Sequence, residues 1–133
     1  MALYSFSFII PKQTPKDKPV EKIVKVGSGL IKKIQIRIPP THYGLAKLRI
    51  YAQEALILPE NPEEWVYGHN EIIEDELMLL ILRPQYEFRL VGYNESMFRD
   101  LGFIVRFVVV PLTTFKTLPI ARTEEELVRL LTE

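Results

Sequence analysis

The sequence predicts an all-β fold: an antiparallel two-sheet β-sandwich of jelly-roll type with one short C-terminal helix. Three observations carry this. Apolar residues recur with a period of two over most of the chain, which is what a half-buried strand requires. Turn residues interrupt these runs at short intervals, the spacing of a sandwich or jelly roll. The composition is globular, with 47% hydrophobic and 26% charged residues in 133, enough for one domain that needs no staple. We read residues 1–133 as that domain, divided into a sandwich over 1–110, a linker over 111–122 and a helix over 123–132.

In order, the first strand falls near 3–10, where Tyr4, Phe6, Phe8 and Ile10 share a face with Ser5 and Ser7 between them. Pro11 to Pro19 holds three prolines and three lysines and reads as an exposed basic loop, an arm able to order on a neighbour. Strands near 20–26 and 30–38 flank the turn Gly27-Ser28-Gly29; in the second of them Ile34, Ile36 and Ile38 alternate with Lys33, Gln35 and Arg37. Pro39 ends that strand, because it lacks the N–H that a ladder needs. Leu48 and Ile50 mark a strand near 45–52, followed by a short one near 54–58. A loop from Pro59 through Gly68-His69-Asn70 leads to strands near 71–82 and 86–92. A further loop opens at Gly92-Tyr93-Asn94-Glu95-Ser96, before an eighth strand near 101–110. At the end, Thr123 and Glu126 fit a capping box, and Leu127, Leu130 and Leu131 form a stripe at helical spacing. Some ten residues make too short a helix to stand alone, so those leucines need a surface on this chain or on a neighbour.

Composition removes several function classes. Cysteine is absent, and with it disulfides, thiolate metal sites and cysteine nucleophiles. Lysine plus arginine equals aspartate plus glutamate at 17 each, so the basic excess of a general nucleic-acid binder is missing. The start of the chain lacks a basic n-region, and the longest apolar run, Leu77 to Leu82, is far short of the roughly 20 residues a membrane span needs. A soluble protein with neither nucleic-acid nor membrane partners is expected. Prolines concentrated in loops, few asparagines and no cysteine resemble thermophile usage.

Charge is segregated along the chain. Residues 1–49 carry ten bases and two acids; residues 50–82 carry eight acids and no base. If these stretches lie side by side, they neutralise one another. If they lie on different faces, copies attract head to tail, and such a heterologous contact closes into a ring, a trimer or larger, when the rotation allows. We favour the second arrangement.

No constellation predicts catalysis or a cofactor. Glu71, Glu74, Asp75 and Glu76 are carboxylates suited to a hard cation, but they alternate between faces and lack a glycine-punctuated calcium loop; a solvated strand edge explains them as well. His42 and His69 lie in separate loops, and no serine sits in a nucleophile elbow. The aromatic residues Tyr43, Trp65, Tyr67 and Tyr93 are the candidate contact residues, together with Leu127, Leu130 and Leu131. Three readings of Trp65 stay open: it folds over an end of the sandwich, it anchors a protein contact, or it offers its ring to a sugar.

The stretch from Ile38-Pro39-Pro40 through His42-Tyr43-Gly44 to Leu48-Arg49-Ile50, then Ile57-Leu58-Pro59, Trp65 with Gly68, Glu71-Ile72-Ile73-Glu74, and Gly92-Tyr93-Asn94 resemble, in that order, small β-sandwich proteins encoded by phages and phage-like elements. The resemblance spans roughly residues 4–110 and rests on structural residues, so no catalytic residue carries over. It implies a non-enzymatic structural protein of the virion, otherwise cytoplasmic, which assembles with itself and docks on a larger array such as a capsid through the loops near 39–44, 59–70 and 92–96. The alternative is a carbohydrate- or receptor-binding module that uses exposed aromatics.

Overall fold

A computed structural model describes residues 2–111. Eight strands form: β1 (Ala2–Ile10), β2 (Val20–Val26), β3 (Gly29–Ile38), β4 (Ala46–Ala52), β5 (Ala55–Leu58), β6 (Glu71–Ile81), β7 (Tyr86–Asn94) and β8 (Leu101–Pro111). They make two antiparallel four-stranded sheets, ordered β1-β8-β3-β6 and β2-β7-β4-β5. That interleaved order is the eight-stranded jelly roll. Leu127, Leu130, Leu131 and the helix expected around them lie outside the described residues.

The period of two does what the sequence analysis asks of it. Ile34, Ile36 and Ile38 of β3, Ala46, Leu48 and Ile50 of β4, and Phe103, Val105 and Phe107 of β8 all point inward and are fully or almost fully buried. The sheets meet across aromatic contacts: Phe88 of β7 lies 4.6 Å from Phe107 of β8, centroid to centroid. Gly92 of β7 is needed for this packing. A Cβ there would strike the Ile10 side chain and sit 2.7 Å from the Lys47 carbonyl oxygen and 3.1 Å from the Phe8 ring. Its bare backbone lets β1 close down on the second sheet.

A bulge between Ile31 and Lys33 interrupts the register of β3 with both β6 and β8. Against β8 the extra residue is Lys32, which is exposed, whereas against β6 it lies in β6, where Leu77 and Met78 oppose Lys32; the alternation beyond turns Lys33, Gln35 and Arg37 outward. β6 is an edge strand; its Glu74 and Glu76 are exposed on the outer face, where they discourage edge-to-edge pairing, while Asp75 is half-buried on the face it shares with Ile34.

This arrangement corrects the preferred reading of the charge pattern. The basic and acidic stretches do not occupy different faces here, because β3 and β6 pair directly. Lys33 Nζ lies 3.3 Å from Glu74 Oε2, and Gln35 Nε2 donates to Glu74 Oε1 at 2.6 Å. A long-range contact overrides the segment count: charges remote in sequence become neighbours on one sheet.

Candidate functional site

Three of the chain's loops converge at one end of the sandwich, where β3, β7 and β1 finish and β4, β6 and β8 begin. The 39–44 and 59–70 loops are joined by three bonds: Gly44 N–H donates to Gly68 O at 3.0 Å, Asn70 N–H to Pro39 O at 3.2 Å, and Tyr43 N–H to His69 Nδ1 at 3.2 Å. Glu95 N–H ties the third loop to Leu45 O at 2.9 Å. Thr41 (φ 76°), Tyr43 (φ 48°) and Asn70 (φ 46°) all hold left-handed backbone here. For β-branched Thr41 that conformation is costly and needs support from its surroundings.

The 11–19 segment joins the same frame instead of waiting for a neighbour to order it. Thr14 bridges Asn94, Gln13 N–H donates to Ser96 O at 2.8 Å, and Lys12 N–H donates to Asp100 Oδ1 at 2.9 Å. Asn94, fully buried, is the hub. Its Nδ2 donates to Ile10 O at 3.1 Å and to Arg99 O at 3.0 Å, while its Oδ1 accepts from Ser96 N–H at 2.9 Å. Ser96 Oγ then accepts from Phe98 and Arg99 N–H at 3.4 and 3.2 Å.

The four candidate aromatics divide. Tyr43 is 71% exposed and stacks on His69, with centroids 4.3 Å apart and planes 18° from parallel. Tyr67 is also exposed, with Lys47 Nζ 4.1 Å from its ring centre. Trp65 and Tyr67 flank buried Val66, whose backbone bridges Leu48 of β4 in both directions. The 64–68 stretch thus behaves as a short extra strand beside β4, with Trp65 and Tyr67 on its outer side. Arg49 clamps it: Nε donates to Glu64 O at 2.9 Å, Nη2 to Pro62 O at 2.7 Å, and the guanidinium carbon lies 4.0 Å over the Trp65 ring. One face of Trp65 is therefore already occupied, and its edge-to-face contact with Tyr93 at 4.8 Å fixes the ring further.

Tyr93 corrects its assignment as a contact residue: it is only 6% exposed. Alternation along β7 does turn it to the outer face, but Trp65 packs over it there. Burial pushes the Tyr93 phenol up, and the Glu95 carboxylate adds to the effect.

His42 is a core residue. Its Nε2–H donates to Gly102 O at 2.8 Å, its ring meets Phe103 edge-on at 4.9 Å, and Nδ1 is buried without a partner. Burial lowers its pKa from 6.5, the Gly102 bond partly opposes this, and His69 adds to the lowering. The folded state therefore binds fewer protons than the unfolded state as His42 titrates. The stability gained by keeping His42 neutral is present above about pH 6.5 and is lost as pH falls through the lowered folded value. Thermal melts should show a midpoint that falls between pH 7 and 5, with a slope reduced in His42→Gln; equal slopes in both proteins would contradict this.

Two further residues stand out that the sequence analysis does not single out. Phe98 is 86% exposed and Met97 62% exposed, side by side on the turn that Asn94 and Ser96 organise. Their signal in the sequence is an apolar pair set between Ser96 and Arg99-Asp100. Among the described residues, no group of three or more His, Cys, Asp or Glu is placed to hold a metal ion, and no helix is long and apolar enough to cross a membrane. No protein-family model matches the chain, and no curated protein is similar to it in sequence.

Proposed function

We propose that this protein is a non-catalytic jelly-roll building block that assembles with copies of itself and docks on a larger protein array, such as a viral capsid. The observation that carries the reading is the loop end: Tyr43, Tyr67, Met97 and Phe98 are held out to solvent on a frame of backbone and Asn94 hydrogen bonds. Tyrosine, phenylalanine and methionine are enriched at protein interfaces, and anchors ordered before contact lose less entropy on binding. A jelly roll hosts many functions, capsid subunits and lectins among them, so the fold by itself does not choose. The resemblance to phage-encoded sandwich proteins supports the virion as the setting. The sugar-binding alternative is weakened where Arg49 covers one face of Trp65.

Native mass measurement of the full chain tests the reading. At micromolar concentration in low salt, we expect species at multiples of 15.5 kDa, a trimer or larger ring foremost. A strictly monomeric protein under those conditions would remove the self-assembly reading.

A further inference from the structure

Open sheets end in edge strands, whose unpaired N–H and C=O groups invite another chain. Here β1 and β6 hold those places in one sheet, β2 and β5 in the other. Three of the four are guarded. β6 exposes Glu74 and Glu76, β2 exposes Glu21, Lys22 and Lys25, and β5 is only four residues long with a break in its register. β1 has no such device. Its nine residues include no charge and no proline, and its register with β8 runs unbroken from Ala2 to Ile10. Leu3 is 61% exposed and Ile9 65% exposed on its outer face. Among the described residues, only β8 pairs with β1.

The backbone shows which residues face the open edge. Ser7 O accepts from Lys22 Nζ of the other sheet at 2.7 Å, so it points away from β8. Phe8 O turns the other way, toward Gly102 of β8, 3.6 Å from where a Cβ would stand on that glycine. Bonded and non-bonded positions alternate along an antiparallel pair. Leu3, Ser5, Ser7 and Ile9 therefore present both main-chain groups to the edge, while Tyr4, Phe6 and Phe8 bond β8.

These residues are also symmetric about Phe6. From Leu3 to Ile9 the strand reads aliphatic, aromatic, serine, aromatic, serine, aromatic, aliphatic, the same in both directions. The geometry points to antiparallel pairing of β1 with β1 of a second copy, about a two-fold axis at Phe6. Leu3 then lies opposite Ile9 of the second copy and Ser5 opposite its Ser7, and each such pair exchanges both of its main-chain bonds. On the inner face Tyr4 meets the other Phe8 and Phe6 meets the other Phe6. Tyr4 and Phe6 are only half-buried in the single chain, so these aromatic pairs gain burial as well as contact. Lys22 must release Ser7, and as an exposed lysine it can turn to water. The contact is isologous and closes at two copies, because each has one unguarded edge. It goes beyond the self-assembly reading above: it uses none of Tyr43, Tyr67, Met97 or Phe98, and the loop end stays available to join such pairs into larger species.

Amide exchange of the full chain, read residue by residue along a dilution series with sedimentation velocity alongside, tests it. In the associated protein, the amides of Leu3, Ser5, Ser7 and Ile9 should exchange at least tenfold more slowly than in the dilute monomer; those of Tyr4, Phe6 and Phe8 should be slow in both. Two double variants fix the register. Leu3→Lys with Ile9→Lys sets like charges opposite one another, and so does Leu3→Glu with Ile9→Glu; each protein alone should associate about tenfold more weakly than the wild type. Mixed, they set lysine against glutamate and should form a 1:1 dimer tighter than either makes alone. Both side chains are already exposed, so both proteins should fold, as circular dichroism would verify. Edge amides that stay fast in an associated wild type, or a mixture no tighter than its components, would overturn the edge contact while self-assembly stands. Edge amides that are slow at every concentration would give the edge to residues 112–133 of the same chain and overturn it too. A wild type that stays monomeric sinks both readings; one that stops at a dimer with slowed edge amides supports this contact and removes the ring.

Discussion

Replacing Phe107 with alanine is expected to cost about 4 kcal/mol of folding stability. Phe107 lies in β8, fully buried, with its ring 5.9 Å edge-on to Phe6 of β1 and 4.6 Å from Phe88 of β7. It therefore touches its own sheet and the opposite one. Truncation removes the ring's transfer free energy and leaves a cavity that two pleated sheets cannot collapse to fill, and the ring–ring contacts add a further share. For a domain of this size the thermal midpoint should fall by roughly 10–15 °C. Phe107→Leu preserves most of the volume and should lose much less. Phe98→Ala is the contrasting case, because its ring is already in water and its loss should lie within about 0.5 kcal/mol of neutral. Urea denaturation of the three variants checks the order. Comparable losses at 98 and 107 would contradict the burial of Phe107 between the sheets and the exposure of Phe98 on its turn.

That contrast shows what the sequence makes legible. Each strand is readable from its own residues because one face of it is buried, so alternation survives as a local signal: Ile34, Ile36 and Ile38 reveal β3 without reference to any partner. Strand order is a different kind of information. β1 pairs with β8 and β3 with β6 through contacts far apart in sequence, and it was such a contact that brought Glu74 to Lys33. The same limit governs the site. His42 has the surroundings of a loop residue in the sequence, but its partner is a carbonyl sixty residues away. Tyr93 takes the face that alternation assigns to it, yet the residue that covers it comes from another loop. The triplet Trp65-Val66-Tyr67 did hold a usable signal, a short run of β-branched and aromatic residues, which the proline- and acid-rich stretch before it disguised. Phe98 was legible as an anomaly, a large apolar side chain in a polar turn, but its exposure depends on how that turn is tied down.

The tie is Asn94, and Asn94→Ala is expected to cost about 3 kcal/mol. The side chain makes three hydrogen bonds in a fully buried position, two as donor and one as acceptor. Each contributes about 1 kcal/mol net, and the groups left behind lose their partners where water reaches poorly. Asn94→Asp separates the donor from the acceptor. The carboxylate can still receive the Ser96 N–H, but it turns oxygen toward the Ile10 and Arg99 carbonyls and places a charge in a dry site. At neutral pH it should therefore lose at least as much as alanine. Burial would raise that carboxyl's pKa in the folded state, so the folded protein would bind the extra proton more readily, and stability should partly recover on acidification. No such recovery is expected for Asn94→Ala, which makes the pair diagnostic of the donor bonds. The loss should also be local before it is global. Amide exchange at Ser96, Phe98 and Arg99, whose N–H groups close the turn, should quicken more than at core strands such as β4. With the turn loosened, Met97 and Phe98 must be ordered again on contact, so Asn94→Ala should weaken self-association even under conditions where it stays fully folded. Association unchanged in a folded Asn94→Ala protein would separate the turn from the interface and leave Asn94 as a purely structural residue.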